Sequence, residues 1–165
     1  MAARRVLVTG FEPFGGDTVN PSQELAKALD GRTVGDCTVR SLVLPVQHEA
    51  ARAIVAPPLA DPDLAAVVHL GLAAGRARIS LERVAVNVMD YQMPDAWGEV
   101  RTDEPCVPGG PPGYFSRLPL RAVLSELIAH GIPAHLSYTA GAYLCNYTLY
   151  TTLHALAERG DSVPA

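Results

Sequence analysis

The sequence is poor in lysine, in aromatic residues and in long apolar runs. Lys27 is its only lysine, tryptophan occurs once, and aromatic residues make up 6% of the 165 residues. The formal net charge is −4, and no cluster of lysine and arginine offers the positive surface that a nucleic acid would need. No apolar stretch approaches the length of a membrane span. We therefore expect neither a nucleic-acid partner nor a membrane partner.

Cysteine is also scarce, and its spacing excludes the common uses of paired cysteines. Cys37, Cys106 and Cys145 are odd in number and show no CxxC spacing. Disulfide-stabilised secreted proteins and CxxC redox or zinc sites are therefore not indicated. The apolar run that follows Arg4 and Arg5 is too short for a signal peptide. We expect free thiols in a reducing compartment and a cytoplasmic location.

What the sequence does contain is an alternation of strand and helix patterns. Apolar or alternating stretches predict strands, and amphipathic stretches predict helices, over the following residues: strands 4–10, 37–46, 64–71, 79–88 and 133–140; helices 20–30, 46–62, 118–131 and 142–160. Residues 89–117 have an irregular pattern. The alternation predicts an α/β fold, with a mostly parallel twisted sheet and helices on both faces in a three-layer αβα arrangement. The length predicts one domain spanning 1–165.

Local signals place several helix ends. Asn20 can cap the first helix, and Pro21 suits its first turn. Pro57 and Pro58 are expected to stop the second helix. Apolar residues at helical spacing on 118–131 predict a buried stripe, formed by Leu120, Val123, Leu124, Leu127 and Ile128.

Ligand sites in parallel sheets cluster at the carboxyl ends of the strands. Loops 10–20, 71–78 and 139–145 fall there, and Cys145 lies where the last of them meets a predicted helix. A thiol at a helix N-terminus is near unpaired amides and the positive end of the helix dipole, which would lower its pKa. The same amides could hold an oxyanion during acyl transfer. The alternative is a buried free cysteine that packs like a small apolar group.

Glu82 is the candidate carboxylate. It lies between Leu81 and Arg83 in an otherwise apolar strand, and a carboxylate there could orient a catalytic imidazole. The alternative is a structural ion pair with Arg83, or with Arg76 or Arg78.

Three segments in this order carry a family resemblance: "VLVTGFEPFGGDTVNPS" (6–22), "GRARISLERVAVNV" (75–88) and "SYTAGAYLCNY" (137–147). Together they resemble pyroglutamyl peptidase I, the pyrrolidone-carboxylate peptidase family, over about 4–158. The resemblance implies a cytoplasmic cysteine peptidase that removes N-terminal pyroglutamate from peptides. It also implies that the enzyme needs no metal and no cofactor, and that it forms a homo-oligomer, either a dimer or a tetramer.

The resemblance also implies roles for individual residues. Cys145 matches the family nucleophile, and Glu82 matches the family acid. Phe11 and Phe14 of the glycine-rich loop would flank the lactam ring, and Asn20 matches the asparagine of that loop. The alternative for the two phenylalanines is that they pack the loop onto the core.

The sequence departs from the family pattern in two places. The family histidine lies in a "GFxHxP" segment after the cysteine helix, and the sequence ends at residue 165 before such a segment, so we expect the domain to be incomplete at its C-terminus. Gln92 stands where the family commonly has an arginine that polarises the substrate carbonyl, and glutamine can only donate an uncharged hydrogen bond. We therefore assign Gln92 to substrate binding and expect weak or absent activity for the chain as written.

The sequence leaves alternatives open. The chain could be a fragment, a divergent inactive member, or an enzyme that recruits a histidine from elsewhere, for example from a neighbouring subunit. His69, near the carboxyl end of a predicted strand, is the best internal candidate for a base; its alternative is a hydrogen-bonded structural histidine. Beside the peptidase, a non-catalytic protein that binds pyroglutamyl termini or only assembles, and a different thiol amidase, remain candidates.

Overall fold

A computed structural model describes residues 4–165. The described chain alternates strands and helices, with these bounds: β1 (Arg4–Phe11), α1 (Pro21–Leu29), β2 (Thr33–Val34), β3 (Cys37–Leu44), α2 (His48–Leu59), β4 (Leu64–His69), β5 (Ile79–Glu82), β6 (Val84–Val86), β7 (Gly113–Phe115), α3 (Leu120–Ala129), β8 (Ala134–Ser137) and α4 (Leu144–Glu158). The predicted α/β fold is confirmed.

The strands form one four-stranded sheet and two short pairs. The sheet has the order β2-β3-β1-β4; β1 is parallel to both β3 and β4, and β2 is antiparallel to β3. β5 pairs in parallel with β8, and β6 pairs in antiparallel with β7. The carboxyl ends of β1, β3 and β4 therefore lie at one edge of the sheet, which is where a site is expected.

Alternate residues of β1 face two different layers. Leu7 belongs to the larger core, to which α2 and α4 contribute Val55, Leu153 and Leu156. Val8 faces the other side and packs with Ala26 of α1 in a smaller cluster. Because successive side chains of a strand point to opposite faces, one strand serves both cores. The helices accordingly cover both faces of the sheet.

Two predicted helix ends can be compared with the structure. The side chain of Asn20 accepts a hydrogen bond from the backbone N–H of Ser22 and caps α1, as predicted. The expectation that Pro57 and Pro58 stop the second helix is wrong, because α2 contains both and ends at Leu59. The prolines lie in the last turn, where the backbone N–H of Ala60 still donates to their carbonyl oxygens and buried Leu59 anchors the chain.

Two other predictions also need correction. Residues 89–117 are not wholly irregular, because Gly113–Phe115 form β7 beside β6. The apolar stripe of α3 is not buried: none of its residues is buried, and Ile128 is 58% exposed. The helix periodicity was sufficient to predict α3 but does not say what covers it.

The helices of the structure can be compared with the prediction that the chain has no membrane span. Across residues 4–165, no helix combines the length and the apolar character that crossing a bilayer requires.

His69, at the carboxyl end of β4, is a hydrogen-bonded structural histidine. Its Nδ1 lies 2.8 Å from the hydroxyl of Thr9, and its Nε2 lies 2.9 Å from the hydroxyl of Thr152. Burial lowers the pKa of His69 from its ordinary value of 6.5 to about 4. The ring therefore joins β1, β4 and α4 in its neutral form.

This pKa predicts acid destabilisation. Between pH 6.5 and 4 the unfolded chain binds a proton at His69 that the folded chain resists, so the free energy of unfolding falls as the pH falls. From pH 7 to pH 5 the loss due to His69 is about 2 kcal/mol, and above pH 7 it is absent. Urea denaturation at the two pH values measures it. His69→Gln should remove this part of the pH dependence, whereas His130→Gln, at an exposed histidine, should leave it; an unchanged pH dependence in His69→Gln would contradict the assignment.

Candidate active site

A small apolar cleft opens at the carboxyl ends of the strands. Eight residues line it: Phe11, Phe14, Asn20, Val46, Leu72, Tyr143, Leu144 and Cys145. Its enclosed volume is about 40 Å³. Pockets for drug-sized ligands start at about 300 Å³, so this cleft can receive only a small group.

Cys145 lies at the start of α4 with its sulfur toward the cleft. It is the second residue of the helix, and the N-cap residue Tyr143 makes no side-chain capping hydrogen bond. The amides of the first turn therefore have no side-chain acceptor from the cap. Gly71 packs against the sulfur, since a Cβ atom built on Gly71 would lie 2.7 Å from Sγ. The loop after β4 therefore contacts the thiol of Cys145 on one side.

The pKa of Cys145 differs from the sequence-based expectation. Burial, and to a smaller extent the negative charge of Glu82, raise the pKa of Cys145 from its ordinary value to about 11. The charge of Arg76 and a hydrogen bond from the cysteine's own backbone amide lower it, but less. Desolvation outweighs the helix N-terminus because the sulfur is surrounded by apolar side chains. Cys145 is therefore a neutral thiol at neutral pH, and a base must accept its proton.

Glu82 ends β5 and lies near enough to Cys145 to influence its ionisation. Its Oε1 lies 3.6 Å from a guanidinium nitrogen of Arg76, so the ion pair considered as the alternative is formed with Arg76. Its Oε2 is buried and has no hydrogen-bond partner among residues 4–165. One carboxylate oxygen is thus held by an arginine, and the other can still accept a hydrogen bond.

The cleft has aromatic walls. Phe11 and Phe14 both line it, and Phe11 also packs into the core, so the two interpretations of this residue are compatible. The ring of Tyr143 lies 6.3 Å from that of Phe14, centroid to centroid. The Tyr143 hydroxyl donates to the carbonyl oxygen of Pro94 at 3.1 Å, which leaves the body of the ring as an apolar wall.

Asn20 contributes a polar group to the cleft, but little of it is free. Its Oδ1 accepts from both the backbone N–H and the hydroxyl of Ser22, at 3.0 and 2.8 Å. Its Nδ2 donates to the carbonyl oxygen of Glu12 at 3.1 Å. An amide nitrogen has two hydrogens, so at most one N–H remains for a ligand.

Gln92 does not line the cleft. Its side chain is exposed, in the segment that follows buried Tyr91. Its assignment to substrate binding stays a prediction.

No histidine among residues 4–165 hydrogen bonds to the sulfur of Cys145. His69, the best internal candidate, has both ring nitrogens hydrogen-bonded to threonines. His154 hydrogen bonds through Nδ1 to the hydroxyl of Tyr114 at 2.8 Å.

The other histidines are engaged elsewhere. His130 bonds to the carbonyl oxygen of Glu126 at 2.8 Å, and His135 lies 3.5 Å from the hydroxyl of Ser80. His48 is buried against Gln47. The described part of the chain therefore holds a candidate nucleophile, Cys145, and a candidate acid, Glu82, without an imidazole hydrogen-bonded to the sulfur.

Sequence reasoning missed three residues that shape this site. Tyr143 forms a wall that the sequence did not assign, and Gly71 makes room for the sulfur. Asn146, fully buried next to Cys145 in the chain, accepts from the backbone N–H of Val86 at 2.9 Å and donates to the carbonyl oxygens of Val86 and Val88 at 2.9 and 3.1 Å. The sequence did offer a signal for Asn146, because it is an amide directly after the candidate nucleophile Cys145. No sequence pattern marks Tyr143 or Gly71 as site residues.

This arrangement suits one kind of chemistry. A thiol in an apolar cleft can attack a carbonyl carbon held beside it, and the first-turn amides of α4 can receive the oxyanion. The class of protein that the fold and the site define is an α/β cysteine hydrolase.

Comparison with known proteins narrows this class. The profile of the pyroglutamyl peptidase family matches residues 4–165. The pyrrolidone-carboxylate peptidase of Pyrococcus furiosus is 49% identical over 158 residues, which cover 94% of this chain and 75% of the relative. The protein of the same name from Gloeobacter violaceus is 46% identical over 154 residues, covering 93% and 75%.

Solved structures agree. A crystal structure of the pyrrolidone carboxyl peptidase of Pyrococcus furiosus superimposes with a TM-score of 0.90 at 48% identity, covering 94% of this chain and 75% of that one. A mutant of the same enzyme gives a TM-score of 0.91 at 47% identity with the same coverage. The chain belongs to the pyroglutamyl peptidase family.

Proposed function

We propose that this chain acts as a cysteine peptidase that removes N-terminal pyroglutamate from peptides, with Cys145 as its nucleophile. The observation that carries the proposal is the position of the Cys145 sulfur in a small cleft between aromatic walls. A pyroglutamyl residue is a flat, uncharged lactam, and its carbonyl carbon is the atom to be attacked.

The cleft suits the lactam by the aromatic and polar groups that line it. Phe11, Phe14 and Tyr143 offer ring faces to the apolar part of the lactam. Asn20 offers one remaining N–H, which can donate to the lactam carbonyl oxygen. A charged N-terminal ammonium in the same place would lose its hydration without finding a counter-charge, which would weaken its binding.

The reaction is an acyl transfer in two steps. The sulfur of Cys145 forms a bond to the pyroglutamyl carbonyl carbon, the carbon–nitrogen bond to the rest of the peptide breaks, and the thiol proton is passed to the leaving amine. The first-turn amides of α4 stabilise the oxyanion between these events. Water then hydrolyses the thioester, which releases pyroglutamate and restores the thiol.

The described residues contribute least to the proton-transfer step of this reaction. The thiol has a raised pKa and no imidazole is hydrogen-bonded to it within residues 4–165, so we expect slow turnover of amide substrates. The free Oε2 of Glu82 is suited to accept an N–H from an imidazole placed between it and the sulfur. In that role Glu82 is a positioning residue, because it would act through the imidazole.

Paired substrates test the proposal. Pyroglutamyl and prolyl amides of one fluorophore share a five-membered ring, but the prolyl ring lacks the carbonyl and carries a positive charge. We expect kcat/KM to favour the pyroglutamyl amide by about 100-fold or more, because the apolar cleft penalises the charge. Equal hydrolysis of both amides would contradict the assigned specificity.

The non-catalytic alternative gives a different result. A protein that only binds pyroglutamyl termini would bind the pyroglutamyl amide, detected by calorimetry, and would release no fluorophore above the buffer rate. The family membership favours the peptidase over this alternative.

We also propose a cytoplasmic location and a homo-oligomeric state, a dimer or a tetramer. Cys37, Cys106 and Cys145 are all free thiols, which is consistent with a reducing compartment. The exposed apolar residues of α3, such as Ile128, provide a surface that assembly could cover. Sedimentation velocity would measure the oligomeric state directly.

A further inference from the structure

A second group of chemically capable side chains lies behind the aromatic wall of the cleft. It consists of His48 at the start of α2, with Asp95 and Glu99 from the segment between β6 and β7. His48 is 5% exposed and Asp95 is 6% exposed, whereas the side chain of Glu99 is 38% exposed. One ligand atom from each of the three lies within 4.8 Å of the other two. The proposed acyl transfer uses none of them.

Asp95 provides an independent sign that a ligand belongs there. Its Oδ1 accepts from the backbone N–H groups of Trp97 and Glu99, both at 2.9 Å, which fixes the carboxylate in place. Its Oδ2 is buried and has no hydrogen-bond partner among residues 4–165. Burying a carboxylate oxygen without a hydrogen-bond donor raises the free energy of the folded state, and a bound cation would offset this increase.

The negative charge of the cluster is only partly compensated by neighbouring cationic residues, so an additional cation could bind. Arg101 is shared between two carboxylates, with Glu99 at 2.9 Å and Glu104 at 3.3 Å. Asp95 forms no ion pair with any described residue between 4 and 165. One guanidinium therefore compensates two acids, and the most buried acid has no counter-charge.

We propose that His48, Asp95 and Glu99 bind a divalent transition-metal ion of the Zn²⁺ type. One imidazole nitrogen with two carboxylate oxygens is a donor set that suits Zn²⁺ and Co²⁺ better than Mg²⁺ or Ca²⁺, which prefer oxygen alone. His48 Nδ1 already lies 3.7 Å from Glu99 Oε2. The ion would replace two long hydrogen bonds, both 3.3 Å, that the amide of Gln47 makes to these atoms.

The ion would act on the cleft through the segment that carries two of its ligands. The carbonyl oxygen of Pro94 accepts the hydrogen bond of Tyr143, and the backbone N–H of Ala96 donates to the carbonyl oxygen of Val46 at 2.9 Å. Tyr143 and Val46 both line the cleft. The metal would therefore fix the position of a cleft wall and take no part in the reaction, which is compatible with the sequence-based expectation of a metal-independent peptidase.

Calorimetric titration with Zn²⁺ and with Co²⁺ tests this site in the Cys145→Ser background, where the cleft thiol cannot compete for the metal. We expect one ion per chain and a rise in the thermal midpoint on addition of Zn²⁺. Adding Asp95→Asn should weaken binding by about 100-fold, because Asn keeps the Oδ1 contacts and removes the charge. Adding Asp17→Asn, at an exposed acid, should leave the affinity unchanged.

A second variant keeps the test decisive if Asp95→Asn does not fold. Glu99→Gln changes a more exposed ligand and should also weaken Zn²⁺ binding by about tenfold or more. The proposal is overturned if Zn²⁺ does not bind, if both variants bind it as well as the Cys145→Ser chain does, or if Mg²⁺ binds equally well. Because every titration uses a chain without the nucleophile, failure here leaves the proposed peptidase function untouched.

Discussion

Replacing Cys145 by serine should lower kcat/KM for a pyroglutamyl amide by about 1,000-fold or more. A serine hydroxyl keeps the shape of the thiol but holds its proton more strongly. None of the residues between 4 and 165 offers an imidazole at hydrogen-bonding distance to remove it. The fluorogenic assay measures the loss, and circular dichroism checks that the fold is retained.

Cys37→Ser is the matched control for this experiment. Cys37 starts β3, does not line the cleft, and has a pKa that burial raises. Its replacement should leave kcat/KM within about twofold of the starting value. Retained activity in Cys145→Ser, or equal losses in both variants, would mean that the sulfur of Cys145 is not the nucleophile.

Asn146→Ala should lower the free energy of unfolding by about 2–4 kcal/mol. The substitution removes three hydrogen bonds and leaves the backbone N–H of Val86 without its acceptor in a buried place. The carbonyl oxygens of Val86 and Val88 keep donors in the backbone N–H of Val88 and the thiol of Cys106. The three bonds of Asn146 connect the start of α4 to β6 and to Val88, so Cys145, the proposed nucleophile, should also lose its position and kcat should fall. Urea denaturation and the fluorogenic assay measure the two effects separately.

Thr148→Val, on the same helix, is the control for Asn146→Ala. Thr148 is 3% exposed, and its hydroxyl oxygen has no hydrogen-bond partner among the described residues. Replacing an unpartnered hydroxyl by a methyl group of similar shape should be neutral or stabilising. If Asn146→Ala cost no more stability than Thr148→Val, the three hydrogen bonds would not be what anchors α4.

The sequence predicted the fold where local chemistry decides the outcome. Asn20 and Pro21 place the start of α1 because a capping side chain and a proline act within one turn. The sequence-based prediction failed at α2, because the helix includes both prolines and ends at the buried Leu59. It also failed at β7, because a three-residue strand exists only through its partner β6. Tertiary contacts determine both of these features, and local propensity does not describe them.

The site, like the fold, could be predicted from the sequence only in part. Cys145, Phe11, Phe14 and Asn20 could be predicted to meet, because loops at the carboxyl ends of parallel strands share one edge. The direction of the Cys145 pKa could not be predicted, since it depends on how much water the packed cleft excludes. Tyr143 was missed for a related reason: which face of a tyrosine borders a cleft is decided by its neighbours in space.

The most direct test of the central claim is to trap the acyl-enzyme with a pyroglutamyl aryl ester. An aryl oxide leaves without being protonated, so this ester reports attack by the sulfur even where amide turnover is slow. After acid quenching, mass spectrometry should find one pyroglutamyl group on the peptide that contains Cys145, formed faster as the pH rises toward the thiol pKa of about 11. A prolyl aryl ester should leave that peptide unlabelled. Labelling of Cys37 or Cys106 in its place, or equal labelling of Cys145 by both esters, would contradict a nucleophile housed in a cleft selective for the lactam.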